Sequence, residues 1–340
     1  YPSCRSAMPL STEDSAIQRL MDIISTPKPA EMCARPSFAR TPTETLMRRL
    51  AFPATFLVAH AVVARSIWRM ARAGDRNVGK LTLFILGAIE LIMFWTFLPT
   101  SLGAFESFYG VETFRRFFHA ATPITGSVLN ILSGCDTFLT LLVCYEFRLV
   151  AENAKARALV SGARRQFLIY GLILLLSVAV SAFTFGASYT PVFRCGGARM
   201  DVRPVLLISP ELLRAGQYVF AFVVIAAPCV LLAHTNAKLA RHVGYTTLPT
   251  EANELIAGSK CDSSLSKLRR LLLALTVAFV LPHVLSLAPM FITPPTVSVA
   301  TMLSAMSITN WSLFASRVAC YSLLHKVSNH LAKMGVVHVY

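Results

Sequence analysis

The chain has 340 residues, of which 14% are charged and 55% hydrophobic, and its mean hydropathy is +0.58. Soluble domains carry about 25% charged residues, so this composition excludes an ordinary soluble protein and indicates an integral membrane protein. The formal net charge of +15 does not favour binding to nucleic acid. The basic residues lie between apolar segments, where they more often determine membrane topology and contact anionic lipid.

Residues 1–47 are rich in Ser, Thr, Pro and charge, without a sustained apolar period. This predicts a flexible extracellular tail. The chain that follows contains seven apolar segments long enough for membrane helices, so the predicted fold class is all-α, with a seven-helix transmembrane domain over 48–324. The first segment is the weakest, because Pro53 and His60 interrupt it. The predicted spans are, in order, Leu50–Trp68, Leu81–Leu102, Pro123–Tyr145, Phe167–Tyr189, Gly216–His234, Leu271–Phe291 and Val297–Leu324.

The second segment has a carboxylate in its middle. Residues 81–98 read LTLFILGAIELIMFWTFL, and Glu90 is the only charged residue among them. An unpaired acid at this depth costs about 2.5–3.5 kcal/mol on insertion scales, so it requires a partner or a proton. Glu90 is therefore either a polar residue tolerated in a very apolar helix or a working group inside the bundle.

The distribution of Lys and Arg predicts the orientation. The first, third and fifth loops hold sixteen basic residues near the span ends, the second and fourth hold six, and the sixth holds none. The positive-inside rule then places the odd loops in the cytoplasm and the N-terminus outside. Arg48 and Arg49, which precede the first span, argue weakly for the opposite orientation.

Residues 325–340 form a short predicted cytoplasmic tail. In Ser322–Met334, apolar residues recur at helical spacing and basic residues occupy the rest of the turn. This pattern predicts a short amphipathic helix on the inner membrane surface. The alternative is a frayed terminus.

Several local patterns, in the same order along the chain, resemble those of one receptor family. They are LFILGAIEL at 83–91, YEFRLVAENAKAR at 145–157, YVFAFVVIAAPCVLLAHTNAKLARHV at 218–243, LTVAFVLPHVL at 275–285 and VACYSLLHKVSNHL at 318–331. Together they resemble the second, third, fifth, sixth and seventh helices of rhodopsin-like (class A) G-protein-coupled receptors. The similarity is greatest to the invertebrate FMRFamide-type peptide receptors.

The chain also departs from the family pattern. Glu146 stands where the family has its G-protein-facing arginine, and Arg148 follows on another face of the helix. Arg317 stands where the family has an asparagine. Cys195 lacks its family partner, because residues 115–126 contain no cysteine.

The resemblance implies a polar switch in the middle of the bundle. It brings together Glu90, Asp136 and Arg317, with Tyr321 as the seventh-helix tyrosine. We hypothesise an ion pair between Arg317 and Glu90 in place of the family's sodium-type site. Buried charges are rarely net stabilising, but losing one partner of such a pair is costly. The alternative is that Arg317 extends toward the cytoplasm and never meets Glu90.

Two prolines, Pro228 and Pro282, are predicted to bend the fifth and sixth helices, because proline removes a helix hydrogen bond. Such bends would allow the inner helix ends to separate on activation. They are equally consistent with the general frequency of proline in membrane helices.

The resemblance also implies a ligand pocket at the outer face and a G-protein contact at the inner face. The candidate ligand residues are Asn130, Gln217, Tyr218, His283 and Asn310. The candidate G-protein-facing residues are Glu146, Arg148, Lys155, Arg157, Lys267 and Arg269. Topology and lipid contact explain the basic members of the second set without a protein partner.

No enzyme motif or metal-ligand spacing is present in the sequence, so neither an enzyme nor a cofactor is predicted. The predicted function is a plasma-membrane receptor, multi-pass, for a neuropeptide-like extracellular ligand, with a heterotrimeric G protein and membrane lipid as partners. The competing hypothesis is a transporter or channel in which Glu90, Asp136 and Arg317 line a path. An odd number of spans without an evident internal repeat argues against that hypothesis.

Overall fold

The computed structural model describes residues 41–72, 79–152, 163–183, 187–194, 199–206, 208–246, 254–291 and 299–333. These ranges contain seven long helices, here named α1 to α7, and one β-hairpin. Their bounds are α1 Pro42–Arg72, α2 Lys80–Leu102, α3 Glu112–Glu152, α4 Ala163–Ser181, β1 Ala187–Arg194, β2 Arg199–Leu206, α5 Pro210–Thr246, α6 Glu254–Phe291 and α7 Val299–Lys333. A one-turn helix, Glu106–Tyr109, precedes α3.

Six of these helices are long and apolar enough to cross a membrane, namely α1 to α6. The chain is therefore a multi-pass helical membrane protein. The last helix, α7, is not among the six, because Asn310, Arg317 and several Ser and Thr residues lower its hydropathy. The seventh span and the outside position of the N-terminus stay predictions.

Helix α3 is at the centre of the bundle. It packs against α2, α4, α5 and α7, while α6 packs chiefly against α7 and α5, and α1 lies against α7 and α2. The main apolar core runs along the half of α3, α6 and α7 that the sequence predicts to face the cytoplasm, here called the inner half, and it includes Phe147, Leu268 and Leu324. A second cluster of aromatic rings joins α1, α2 and α7, with Phe52, Phe94 and Phe314 in contact. A layer of buried polar groups lies between the two clusters.

Helix α1 begins at Pro42, before the predicted span start at Leu50 and inside the predicted tail. Thr41 caps it, because its hydroxyl accepts a hydrogen bond from the Glu44 backbone N–H at 3.1 Å. Proline at the first helical position and a Thr cap are typical start signals. The described residues 42–47 therefore belong to the helix and not to the tail.

Arg48 and Arg49, which argue weakly against the predicted orientation, are bound to the end of α2. Arg48 pairs with Glu44 at 2.6 Å and donates to the Thr100 carbonyl at 3.0 Å, and Arg49 donates to the Ala104 carbonyl at 2.7 Å. Cations are favourable beside the unpaired carbonyls at a helix C-terminus. These contacts explain why two arginines precede the first span without determining its orientation.

Two prolines follow short π-helical turns. The turn Ala221–Ala226 interrupts α5 just before Pro228, and the turn Met47–Ala51 in α1 lies just before Pro53. A proline cannot donate to the carbonyl four residues earlier, and a π turn is one way to accommodate the lost bond. A π turn therefore accompanies Pro228, and the predicted bend of the fifth helix there stays a prediction. At Pro282, in contrast, α6 continues without a change of helix type.

The hairpin β1–β2 is a feature that the all-α prediction lacks. Its strands are antiparallel, with Ala187 opposite Leu206 and Arg194 opposite Arg199, and it contacts α3. The predicted continuation of the fourth span to Tyr189 is wrong, because α4 ends at Ser181 and Tyr189 lies in β1. The strand is rich in Tyr, Thr, Val and Phe, which fit a pleated strand better than a helix. Cys195 lies outside the described residues.

The predicted surface helix after the seventh span is not a separate element. Helix α7 continues without interruption to Lys333, and Leu324, Val327 and Leu331 are fully buried in the main core. The ring of His330 is within hydrogen-bond distance, 2.8 Å, of the Ser264 carbonyl on α6. The predicted helical conformation is present, whereas the predicted placement on the membrane surface is not confirmed, because these leucine and valine side chains pack inside the bundle. Because no Gly or Pro separates Tyr321 from Lys333, nothing in the local sequence ends the helix there.

Candidate functional site

An ion pair between α3 and α7 lies at the middle of the bundle. The Arg317 Nε atom is 3.5 Å from the Asp136 Oδ2 atom, and the two side chains are 9% and 3% exposed. The guanidinium also donates to the Ser133 hydroxyl and lies against the Met93 sulfur of α2. Ser133 and Asp136 are three residues apart on α3, so they share a helix face. That face holds the guanidinium at two points.

Glu90 lies in the same layer but does not bind the guanidinium. It is 1% exposed, and its Oε2 atom has no hydrogen-bond partner among the described residues. It is close enough to Asp136 and Arg317 to interact with both electrostatically. The predicted Glu90–Arg317 ion pair is therefore wrong, and so is the alternative that Arg317 extends away toward the cytoplasm.

The physical reason for this difference is the rotation of the helices. The sequence places three charges at one depth but does not determine which side of α7 faces α3. Because Ser133 and Asp136 both offer oxygen atoms on the same face of α3, the guanidinium binds there. The layer now holds two carboxyl groups but one guanidinium, which binds only Asp136, and the Asp136 Oδ1 atom has no hydrogen-bond partner in the described ranges either. Such a set is stable only if one acid is neutral or its charge is compensated.

Tyr321 closes this centre on the inner side. It is fully buried, and its ring lies against Gly87 of α2, where an added Cβ would be 2.8 Å from the hydroxyl oxygen. The hydroxyl has no hydrogen-bond partner among the described residues, although Glu90 acts on it electrostatically. Gly87 is thus required for the close approach of α2 and α7. This role was not predicted from the sequence, where the signal is a glycine three positions before Glu90.

His283 brings α6 into the same region. It is 3% exposed, its ring stacks on Phe279 with 4.2 Å between centroids, and its Nδ1 atom lies 2.7 Å from the Phe279 carbonyl. Its Nε2 atom has no hydrogen-bond partner in the described part of the chain, and Arg317 acts on the ring electrostatically. His283 therefore belongs to the same buried group, which we name the polar centre and which consists of Glu90, Asp136, His283, Arg317 and Tyr321.

The remaining predicted ligand residues do not gather around a shared cavity in the described ranges. Asn130 is half-buried on α3, whereas Gln217 and Asn310 are exposed on α5 and α7. Tyr218 is 63% exposed. Within the described residues, no hydrogen bond or ring contact joins any two of the five predicted ligand residues, His283 included. Exposed side chains on the outer surfaces of separate helices are better placed to contact lipid than a common ligand.

Glu146, predicted to face a G protein, is buried at the inner end of the bundle. It is 7% exposed, and its Oε1 atom accepts a hydrogen bond from the Thr82 hydroxyl at 3.0 Å. That hydroxyl is also 2.9 Å from the Tyr170 hydroxyl, so the contacts join α2, α3 and α4. The prediction of a surface position is wrong, because Thr82 and Tyr170 supply polar partners inside the bundle.

The Glu146 carboxylate lies at the N-terminus of α2. Gly79 occupies the cap position with φ +68° and makes no side-chain cap bond, and an added Cβ would be 2.8 Å from the Glu146 Oε2 atom. A carboxylate at this end complements the partial positive charge of a helix N-terminus. Glu146 thus lies beside the uncapped start of α2, where its Oε2 atom has no hydrogen-bond partner among the described residues.

The other inner-face residues divide into three groups. Arg148 is partly exposed and pairs with Glu152 one turn later, at 2.7 Å. Lys267 and Arg269 are exposed on α6, as predicted. Lys155 and Arg157 lie outside the described residues. A hydrogen bond of 3.0 Å from Asn236 to the Thr276 hydroxyl joins α5 to α6.

The polar centre has the composition of a charge network and not of a metal site. Within the described ranges no group of three His, Cys, Asp or Glu residues is arranged to hold a metal ion. The fold and the site define a multi-pass helical membrane protein with a buried ionisable centre. No protein-family model matches the chain, and no curated protein is similar to it at a significant level.

Proposed function

We propose that the protein is a plasma-membrane receptor that activates a heterotrimeric G protein, with a peptide as the likelier extracellular ligand. The proposal rests on the ordered resemblance to rhodopsin-like receptors and on one structural observation. That observation is the buried Arg317–Asp136 pair beside the Glu90 carboxyl. The ion pair joins α3 to α7 in the middle of the bundle, which is where the resemblance implies a polar switch.

The proposed mechanism is a shift between two helix packings. In the observed packing Arg317 is bound to Asp136 and Ser133. Glu90 offers a second acceptor in the same layer, so a small displacement of α7 relative to α2 and α3 would exchange one carboxyl for the other. A ligand shifts such an equilibrium only by its difference in affinity for the two packings. Arg317 would thus pair with a different carboxyl group in each packing, while its guanidinium stays buried in both.

Basal G-protein activation tests this proposal without a known ligand. The full chain is reconstituted in phosphatidylcholine vesicles with each class of purified heterotrimeric G protein, and guanine-nucleotide exchange is measured. Asp136→Asn removes the charge that holds Arg317 in this packing, so we expect faster basal exchange. Glu112→Gln is the matched control, because Glu112 is an exposed acid on the same helix that also pairs with an arginine, Arg116.

The competing function, a transporter, is favoured by one observation. The buried carboxyl oxygens of Glu90 and Asp136 without hydrogen-bond partners among the described residues are typical of proton relays. The same vesicles therefore receive an imposed proton gradient. Proton flux that depends on Glu90, together with nucleotide exchange that neither the native chain nor Asp136→Asn accelerates, would reject the receptor proposal.

A further inference from the structure

A groove on the inner end of α6 combines two arginines with an apolar wall. Its volume is about 420 Å³, and the described residues that line it are Leu265, Ser266, Arg269, Arg270 and Leu273. Ser266 and both arginines are exposed, and Leu273 is 65% exposed. We propose that this groove binds the phosphate of an anionic phospholipid. The proposal does not depend on receptor function.

The two guanidinium groups are available for such a ligand. Most arginines described elsewhere in the bundle have a partner, as Arg48, Arg148 and Arg317 do. Arg269 and Arg270, by contrast, form neither a salt bridge nor a hydrogen bond with any described residue. An arginine fork matches two phosphate oxygens at once, and two adjacent forks offer more donors than one phosphate requires.

The depth of the groove matches the position of lipid phosphates. The apolar run of α6 begins at Leu271, so Arg269 and Arg270 lie directly at its start. Their aliphatic stems allow the charged ends to reach the headgroup layer. The Lys and Arg distribution assigns this end of the bundle to the cytoplasmic side, where anionic lipids are enriched.

The order of side chains along the groove follows the order of groups in a phospholipid. Ser266 comes first, the two arginines follow about one turn later, and Leu273 lies a further turn into the membrane. A hydroxyl therefore faces the headgroup, the guanidinium groups face the phosphate, and Leu273 faces an acyl chain. A free phosphate ion would leave Leu273 unused, so we assign the site to a lipid.

Lipid retention measured by native mass spectrometry tests the assignment on the purified full chain. The probes are palmitoyl-oleoyl phosphatidylserine, the matching phosphatidylcholine, and glycerol 3-phosphate, which has the phosphate without acyl chains. Arg269→Gln with Arg270→Gln is expected to weaken phosphatidylserine binding about tenfold or more. Arg164→Gln with Arg241→Gln is the matched control, because it removes two exposed arginines from the inner ends of α4 and α5. The control is expected to retain the lipid.

Two further variants separate the sources of binding. Leu273→Gln is expected to weaken lipid binding while leaving the weak binding of glycerol 3-phosphate unchanged. Arg269→Lys with Arg270→Lys keeps the charge but loses the fork, so it is expected to give intermediate affinity and serves if the glutamine pair does not fold. If both double glutamine variants lose phosphatidylserine binding equally, the binding reflects the general positive charge of the surface and not this groove. That result would overturn the proposal. Glycerol 3-phosphate binding as tightly as the lipid would overturn it as well.

Discussion

The Arg317 Nε atom on α7 lies 3.5 Å from the Asp136 Oδ2 atom on α3, whereas the Oε2 atom of Glu90 has no hydrogen-bond partner among the described residues. The two acids of this layer, Asp136 and Glu90, therefore contribute unequally to the stability of the protein. Asp136 compensates a buried charge, while Glu90 is a second acid that requires a proton or a compensating charge. Substitution of each acid by its amide distinguishes these parts.

We expect Asp136→Asn to destabilise the protein and Glu90→Gln to leave its stability unchanged or to raise it slightly. Removing one partner of a buried pair costs up to about 3–5 kcal/mol in soluble proteins, and the nearby Glu90 carboxyl reduces that cost here. Glu90→Gln replaces a carboxyl group that has no ion-pair partner among the described residues. The measurement is the midpoint of thermal unfolding in detergent, which we expect to fall by several degrees for Asp136→Asn only.

Variants with reversed charges test whether Glu90, and not Asp136, is the partner of Arg317. If Glu90 were the true partner, Glu90→Gln would be at least as harmful as Asp136→Asn, and Glu90→Arg with Arg317→Glu would restore surface expression lost in each single variant. Rescue by that pair, without rescue by Asp136→Arg with Arg317→Asp, would contradict the observed geometry.

Gly87 permits the contact between α2 and Tyr321. A Cβ at this position would be 2.8 Å from the tyrosine hydroxyl oxygen, 3.0 Å from its Cζ atom and 3.1 Å from a Val63 methyl group. We therefore expect Gly87→Ala to lower the free energy of unfolding by about 1–3 kcal/mol, as overpacking does elsewhere. Tyr321→Phe removes a buried hydroxyl that has no described partner, so we expect it to be neutral or stabilising.

Gly171→Ala is the control for this substitution. Gly171 lies within α4, and an added Cβ there meets nothing within 4 Å. We expect this change to raise stability by up to about 1 kcal/mol, because alanine is the better helix former. Equal effects of Gly87→Ala and Gly171→Ala on the unfolding midpoint would show that α2 and α7 are not in close contact.

Gly79 and Glu146 offer a test of the cap of α2. Gly79→Ala places a Cβ in the left-handed region, which costs about 1–2 kcal/mol, and brings it within 2.8 Å of the carboxylate. Glu146→Ala removes both that clash and the hydrogen bond from Thr82. We expect the double variant to be less destabilised than the sum of the two single variants, by about 0.5–3 kcal/mol. If the two single variants have additive effects on thermal unfolding, Glu146 does not interact with the cap position at Gly79.

Most of the helices were accessible from the sequence because they depend on composition and period, whereas the grouping of the charged centre was implied by the resemblance to rhodopsin-like receptors. Glu90, Asp136 and Arg317 stand out as ionisable residues in apolar segments, and the structure places all three at one level. The pairing was not accessible, because rotating a helix by a fraction of a turn decides which carboxyl an arginine meets. Sequence periodicity gives the face of one helix, not its rotation against a neighbour.

The errors at the ends of helices have a different physical origin. The end of α4 and the position of Tyr189 depend on strand pairing with residues 199–206, which a local pattern does not contain. A G-protein-facing position was predicted for Glu146 because it stands where the resembled family has its G-protein-facing arginine. Its burial depends on Thr82 and Tyr170, which are distant in sequence and supply the polar contacts that make burial tolerable.

The continuation of α7 beyond Leu324 leads to the last prediction. Leu331 is fully buried against the inner ends of the bundle, whereas a helix lying on the membrane surface would leave it in contact with lipid. We expect Leu331→Ala to cost about 2–5 kcal/mol of unfolding free energy, as for other buried leucines. Lys326→Ala, an exposed position on the same segment, should change stability by less than about 0.5 kcal/mol. Because the extension also packs against Ser264 on α6 through His330, Leu331→Ala should speed hydrogen exchange in the part of α6 around Ser264. If hydrogen exchange there is unchanged and the loss of stability is small, Leu331 does not pack against the bundle, and the segment beyond Leu324 lies on the membrane surface.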